Sequence, residues 1–151
     1  MSTVYGREFS KIIIETNPAA SILDNTATKV PFDLAIIDRC SSFSSANNWL
    51  VCPRAGWYSI KALVTVVGDA GDTTLNLTLT LKRRDTSDVV TTIYVNTVTT
   101  PGTGSVPITV ESYIYKADKL YIEITADGNS NHKHIYATEP YTFLSWRFIK
   151  A

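Results

Sequence analysis

His132 and His134 flank a lysine, and on an extended chain they share one side, the spacing at which a strand can offer two imidazoles to a metal ion. A third or fourth ligand would have to come from elsewhere, with Asp127 and Glu139 nearest in sequence. The pattern reads more simply as two exposed histidines at the start of a strand, and no cofactor is expected. Asp69, Asp72, Asp85 and Asp88 lie among turn formers and fit no calcium-loop spacing, so they read as turn residues. Ser145 sits in no G-x-S-x-G elbow, and nothing pairs Cys52 with a histidine in a nucleophile motif. With no phosphate loop and no dinucleotide fingerprint either, the chain is not expected to be an enzyme. Lys82-Arg83-Arg84 is a small basic cluster at a strand end beside Asp85 and Asp88, and reads as a solvated turn.

The bulk properties narrow the partners. The chain has 151 residues, enough for one domain, with 44% hydrophobic and 11% aromatic residues. Fourteen basic residues balance fourteen acidic ones. There is then no net field to draw the protein onto nucleic acid or an anionic membrane. Only 19% of residues are charged, and the polar surface is supplied instead by 20 Thr and 13 Ser, a composition that favours strands. Cys40 and Cys52 are too few for a disulfide scaffold and read as separate thiols. The opening residues lack the basic start and long apolar run of a secretory signal, and no stretch nears the ~20 apolar residues of a membrane span. The expectation is a chain made in the cytoplasm, able to leave a cell only by another route, such as inside a particle released by lysis.

The elements that must carry these residues are strands. Leu75-Asn-Leu-Thr-Leu-Thr-Leu81 puts four Leu on one face and polar residues on the other. Tyr58, Ile60, Ala62, Val64 and Val66 make a second apolar face, with Ser59, Lys61 and Thr65 opposite. Further β-rich runs cover 89–95, 106–115, 120–126, 132–137 and 141–149, separated by Gly-, Pro- and Asp-containing turns. Strands that recur without helices between them exclude parallel α/β folds and leave an antiparallel sandwich or jelly roll. One short helix is expected around 17–23, with Asn17 as cap and Pro18 in the first helical position. Residues 1–28 read as an N-terminal arm whose patch Ile12, Ile13 and Ile14 is too small to form its own core, and residues 29–151 as the domain. In the last run Leu144, Trp146 and Phe148 share one face while Tyr141, Phe143 and Ile149 share the other. A strand apolar on both sides is covered by the arm or buried between subunits.

Three segments carry a resemblance. Thr28-Lys-Val-Pro-Phe-Asp33 followed by Trp49-Leu-Val-Cys-Pro-Arg-Ala-Gly-Trp-Tyr58 resembles the opening of C1q/TNF-like jelly rolls. Tyr115-Lys-Ala-Asp-Lys-Leu120 stands where that family has a Gly-Asp turn, with Ala117 in place of the Gly, and Tyr141-Thr-Phe-Leu-Ser-Trp146 resembles its closing strand. The likeness implies an all-β, antiparallel jelly-roll sandwich that associates as a homotrimer, with side chains of the last strand near the threefold axis: Tyr141, Phe143, Trp146 and Phe148. Its members are binding and structural modules; some are secreted receptor ligands, and others decorate bacteriophages or form fibre heads. The sequence therefore points to a virion protein, a trimeric capsid decoration or cement protein held on the major capsid or another virion protein through Ile12, Ile13 and Ile14. The alternative is a fibre-tip or surface module that binds host glycan or protein through its loops.

Overall fold

The computed structural model describes residues 8–15, 21–129, 133–137 and 141–151, and among these there is no helix. Thirteen strands run in chain order: β1 (Glu8–Ile13), β2 (Ser21–Ile22), β3 (Thr28–Lys29), β4 (Leu34–Asp38), β5 (Phe43–Ser44), β6 (Trp49–Val51), β7 (Gly56–Val67), β8 (Leu75–Arg84), β9 (Val90–Thr100), β10 (Thr103–Ile114), β11 (Lys119–Asp127), β12 (Lys133–Ile135) and β13 (Phe143–Lys150). They form two antiparallel sheets. One has seven strands in the order β2-β12-β7-β13-β1-β4, with β10 on the flank of β7 away from β13. The other has six in the order β5-β6-β11-β8-β9, with β3 also on β11. Sequence-distant strands are neighbours in both, the jelly-roll pattern of crossovers between two layers.

Alternation decides which face is inward. Leu75, Leu77, Leu79 and Leu81 are fully buried, as are Tyr58, Ile60, Val64 and Val66 from the facing sheet. Each such side chain withdrawn from water contributes about 1.5–3 kcal/mol before ordering costs. At the centre Tyr58 stacks on Trp146 at 4.7 Å and meets Phe148 edge-on at 5.6 Å, while its hydroxyl donates to the Arg54 carbonyl at 2.7 Å. Burial and the neighbouring Cys52 thiol push the Tyr58 phenol far above its ordinary pKa, so it remains a donor. Gly56 is required by close approach: a Cβ there would lie 2.3 Å from the Phe148 ring and 2.6 Å from the Lys150 carbonyl. Pro53 occupies the bend between β6 and β7, where it interrupts no ladder.

The N-terminal region departs from expectation. β1 is not a detached arm but an inner strand, paired with β13 on one side and β4 on the other. Ile12 and Ile14 are fully buried in the core, and Ile13, on the other side of the strand, is only 8% exposed, so the three do not form a free docking patch. The boundary at residue 28 therefore divides a sheet. The strand was hidden because its core-side alternation includes Ser10, which is buried and bonded to Asp38 at 3.0 Å and to Ser42 at 2.6 Å. The expected helix lies mostly outside the described residues, and its end, Ser21–Ile22, is strand β2 paired with β12.

The turn before β11 also shows its constraint. Ala117 holds φ = 72°, a left-handed conformation that suits glycine. We expect Ala117→Gly to raise stability by about 1 kcal/mol, relief of strain offset in part by the more flexible unfolded chain. The urea midpoint reads it, and an unchanged or lower midpoint would contradict it.

Candidate assembly surface

The side of the seven-stranded sheet that faces away from the core is built by the odd positions of β7 and their ladder partners. One row crosses five strands in register: Leu34, Ile13, Phe143, Leu63 and Pro107. Every member is apolar, and Phe143, Leu63 and Leu34 are only half-buried. The next row is Ile37, Lys11, Ser145, Lys61 and Thr109, with the Lys11 ammonium 4.6 Å from the Phe143 ring centroid. Beyond the rows, aromatic side chains mark both ends. Trp57 is 40% exposed and meets Tyr113 edge-on at 5.8 Å, and Tyr113 in turn meets Tyr115 at 5.1 Å. At the other end Tyr136 and Tyr141, each 45% exposed, stand 4.5 Å apart. Below them the Thr65 hydroxyl donates to the Tyr141 carbonyl and is hydrogen-bonded to the Ser105 hydroxyl, and Thr142 donates to the Tyr136 carbonyl at 2.6 Å. These bonds fix the approach to β13 against β7.

The four residues expected at an interface separate into two groups. Phe143 and Tyr141 lie on or beside the outer face, but Trp146 and Phe148 point inward and are enclosed by their own chain. A side chain sealed between its own sheets has no surface left for a neighbour, so Trp146 and Phe148 are core residues. The outward positions of β13 include buried Ser145 and exposed Arg147, so this face is apolar in one band and not throughout. Sequence reasoning missed Leu63, Leu34 and Pro107, and it read Ile13 as part of a docking arm; their spacing along the chain gives no sign that they form one row. The register of β7 was the usable signal, since Leu63 is the apolar exception among Ser59, Lys61 and Thr65.

The other candidate residues fall elsewhere. His132 lies outside the described residues, and His134 is half-buried in β12 between Ser21 and Val67. Among the described residues no three His, Cys, Asp or Glu side chains converge as a metal site. Cys40 is exposed and Cys52 buried, both as free thiols, and burial raises the Cys52 pKa. Asp85 accepts from the Ser87 and Val89 amides, a turn role. Asp72 accepts from the amides of Asp69 and Asn129 and faces the wholly buried Lys133, whose ammonium donates to Asp24 at 2.8 Å. Lys82-Arg83-Arg84 is not a solvated turn but the end of β8, where Arg83 turns toward Asp118 at 3.6 Å while Lys82 and Arg84 take the opposite face.

No protein-family model and no curated protein matches the sequence. Solved structures do match the fold. Murine APRIL at pH 5.0 gives a TM-score of 0.68 at 14% identity over 95% of this chain and 100% of that one. The Eiger TNF of S. frugiperda gives 0.69 at 8% identity, over 93% and 90%. The globular domain of zebrafish complement 1qA gives 0.63 at 16%, over 93% and 95%. The chain thus has the antiparallel jelly-roll sandwich fold of the TNF/C1q type. At these identities the likeness is one of fold.

Proposed function

We propose that this chain is a non-enzymatic assembly module that forms a homotrimer through the outer face of its seven-stranded sheet. The trimer serves as a bacteriophage virion structural protein, a capsid decoration or cement protein bound to the major capsid or another virion protein. The observation that carries the reading is the apolar row Leu34, Ile13, Phe143, Leu63 and Pro107, flanked by exposed aromatic side chains at both ends of one face. An apolar band on a sheet whose other side already closes the core is the mark of a surface that a neighbour covers. A threefold arrangement agrees with the fold resemblance and gives each particle contact threefold repetition, which raises effective concentration without new contacts. With Ile12 and Ile14 in the core and Ile13 in the row shared between copies, attachment falls to the exposed surface of the assembled trimer.

Co-sedimentation with purified particles tests the role. The expected result is saturable binding by the unaltered protein and loss of binding by a single-chain variant such as Leu63→Glu. A protein that ignores particles yet coats host cells belongs to the recognition alternative, in which host glycan or protein is the partner. One that does neither contradicts both readings.

A further inference from the structure

The outer face of the six-stranded sheet holds a concentration of positive charge that the neutral total conceals. Lys29 on β3, Lys82 and Arg84 on β8 and Lys119 on β11 all project from this face, as the register pairs Lys29 with Glu123, Lys82 with Tyr121 and Lys119 with Arg84 show. Three of the four surround one indole: the Lys29 ammonium lies 4.3 Å from the Trp49 ring centroid, and Arg84 and Lys119 each lie 5.7 Å from it. Tyr121 extends the platform, its ring 6.4 Å from Trp49 and 4.7 Å from the Lys29 ammonium. Two carboxylates answer them, and both are engaged: Glu123 pairs with Lys82, and Asp88 pairs with Arg84 at 3.1 Å. Among the described residues no carboxylate lies within ion-pair distance of Lys29 or Lys119.

Crowding like charges about one ring is unfavourable unless a counter-ion joins them. Part of the cost falls on Lys29, which burial first and the Arg84 charge second hold below the ordinary lysine pKa, against the opposing charge of Glu123. The cation–π contacts offset part of it, and they also fix the positions of the charged heads before any ligand arrives. Such a site fits an anion whose charge sits beside an apolar ring face. Nucleic acid fits less well, since phosphate backbones are tracked by extended basic stripes on chains with a net positive field. Here the cations converge on one aromatic side chain, and the chain as a whole is neutral.

We propose that this face binds an acidic polysaccharide, with sugar carboxylates or sulfates held among Lys29, Arg84 and Lys119 and a pyranose face resting against Trp49. The site is on the opposite sheet from the assembly surface and depends on neither the trimer nor the virion role. Polygalacturonate and dextran sulfate are the probes, with neutral dextran as the blank, applied to the full chain at low salt. Both polyanions are expected to bind and dextran not to. The Lys29→Gln/Lys119→Gln pair should weaken binding about tenfold or more. Arg39→Gln, exposed just past the end of β4 in the other sheet, should leave it unchanged, and added salt should weaken it steadily. Trp49→Leu, which alters no charge, should weaken it several-fold; Lys119→Gln alone gives the readout if that variant fails to fold. The proposal is overturned if neither polyanion binds, or if the lysine variants bind as the unaltered chain does. It is equally overturned if single-stranded DNA or phosphatidylserine vesicles bind as tightly with the same residue dependence.

Discussion

Leu63→Glu is expected to convert the proposed trimer into single folded chains of 16.7 kDa. Leu63 lies mid-strand on the outer face, half-buried, with Phe143 and Pro107 as its ladder partners. In an isolated chain a glutamate there reaches water and costs little. In a symmetric interface every copy brings its carboxylate to the same apolar band, and burying each one without a counter-charge costs several kcal/mol. The variant should therefore keep its circular dichroism and its unfolding transition as a monomer while losing assembly. Trp146→Glu makes the contrast. Trp146 stacks on Tyr58 in the sealed core, so a charge there unfolds the chain instead of separating copies. Should Leu63→Glu remain assembled, the interface lies on another surface.

Lys133→Met costs about 3–5 kcal/mol, a large part of the stability of a domain this size. The Lys133 ammonium is wholly buried, 2.8 Å from Asp24 and 3.7 Å from the equally buried Asp72 carboxylate. Removing it leaves the Asp72 charge sealed in without its cation, although the Asp69 and Asn129 amides still donate to it. Adding Asp72→Asn to Lys133→Met should recover part of the loss, because the stranded charge goes with it. A pH signature accompanies the change. The hydrogen bond from Lys133, and after it the Gly128 amide, hold the Asp24 carboxyl below the ordinary value of 3.8, against the opposing effect of burial. A group lowered on folding adds stability above its unfolded pKa and loses it as pH falls through the folded one. The unaltered chain should thus lose this contribution only below about pH 3.8, and its advantage over Lys133→Met should narrow on acidification, because protonation also neutralises the carboxylate the variant leaves buried. Denaturant melts at several pH values check both, and a Lys133→Met variant as stable as the parent would contradict the account.

The sequence was informative where alternation is strict and one face is polar. β7, β8 and β11 could be placed, and the inward residues of β7 and β8 named, because Thr, Asn and Lys occupy the other side of those two. In β13 both sets are apolar, and period two separates the sets without saying which points inward. Tyr58 on the neighbouring strand decides it by stacking on Trp146. Ile12-Ile13-Ile14 shows the same failure: three apolar residues in succession carry no alternation, and the strand's core side includes a serine satisfied by Asp38 and Ser42. The charged clusters were the least legible. Lys133 reads as a spacer between two histidines, yet its burial depends on Asp24 and Asp72, whose positions relative to β12 only the folded sheets determine. Lys29, Trp49, Arg84 and Lys119 come from four different strands, so no local spacing foretells that three cations meet at one ring. The turn at Ala117 was the converse case: the resemblance marked a glycine position, and the backbone adopts the glycine-like conformation with alanine in it.

Sedimentation equilibrium of the unaltered chain at micromolar concentration bears most directly on the outer face as a surface shared between copies. The account predicts a single species of about three times the 16.7 kDa chain mass that persists on dilution. A stable species of one chain mass across that range would show that the row through Leu63 and Phe143 meets solvent, and would contradict it.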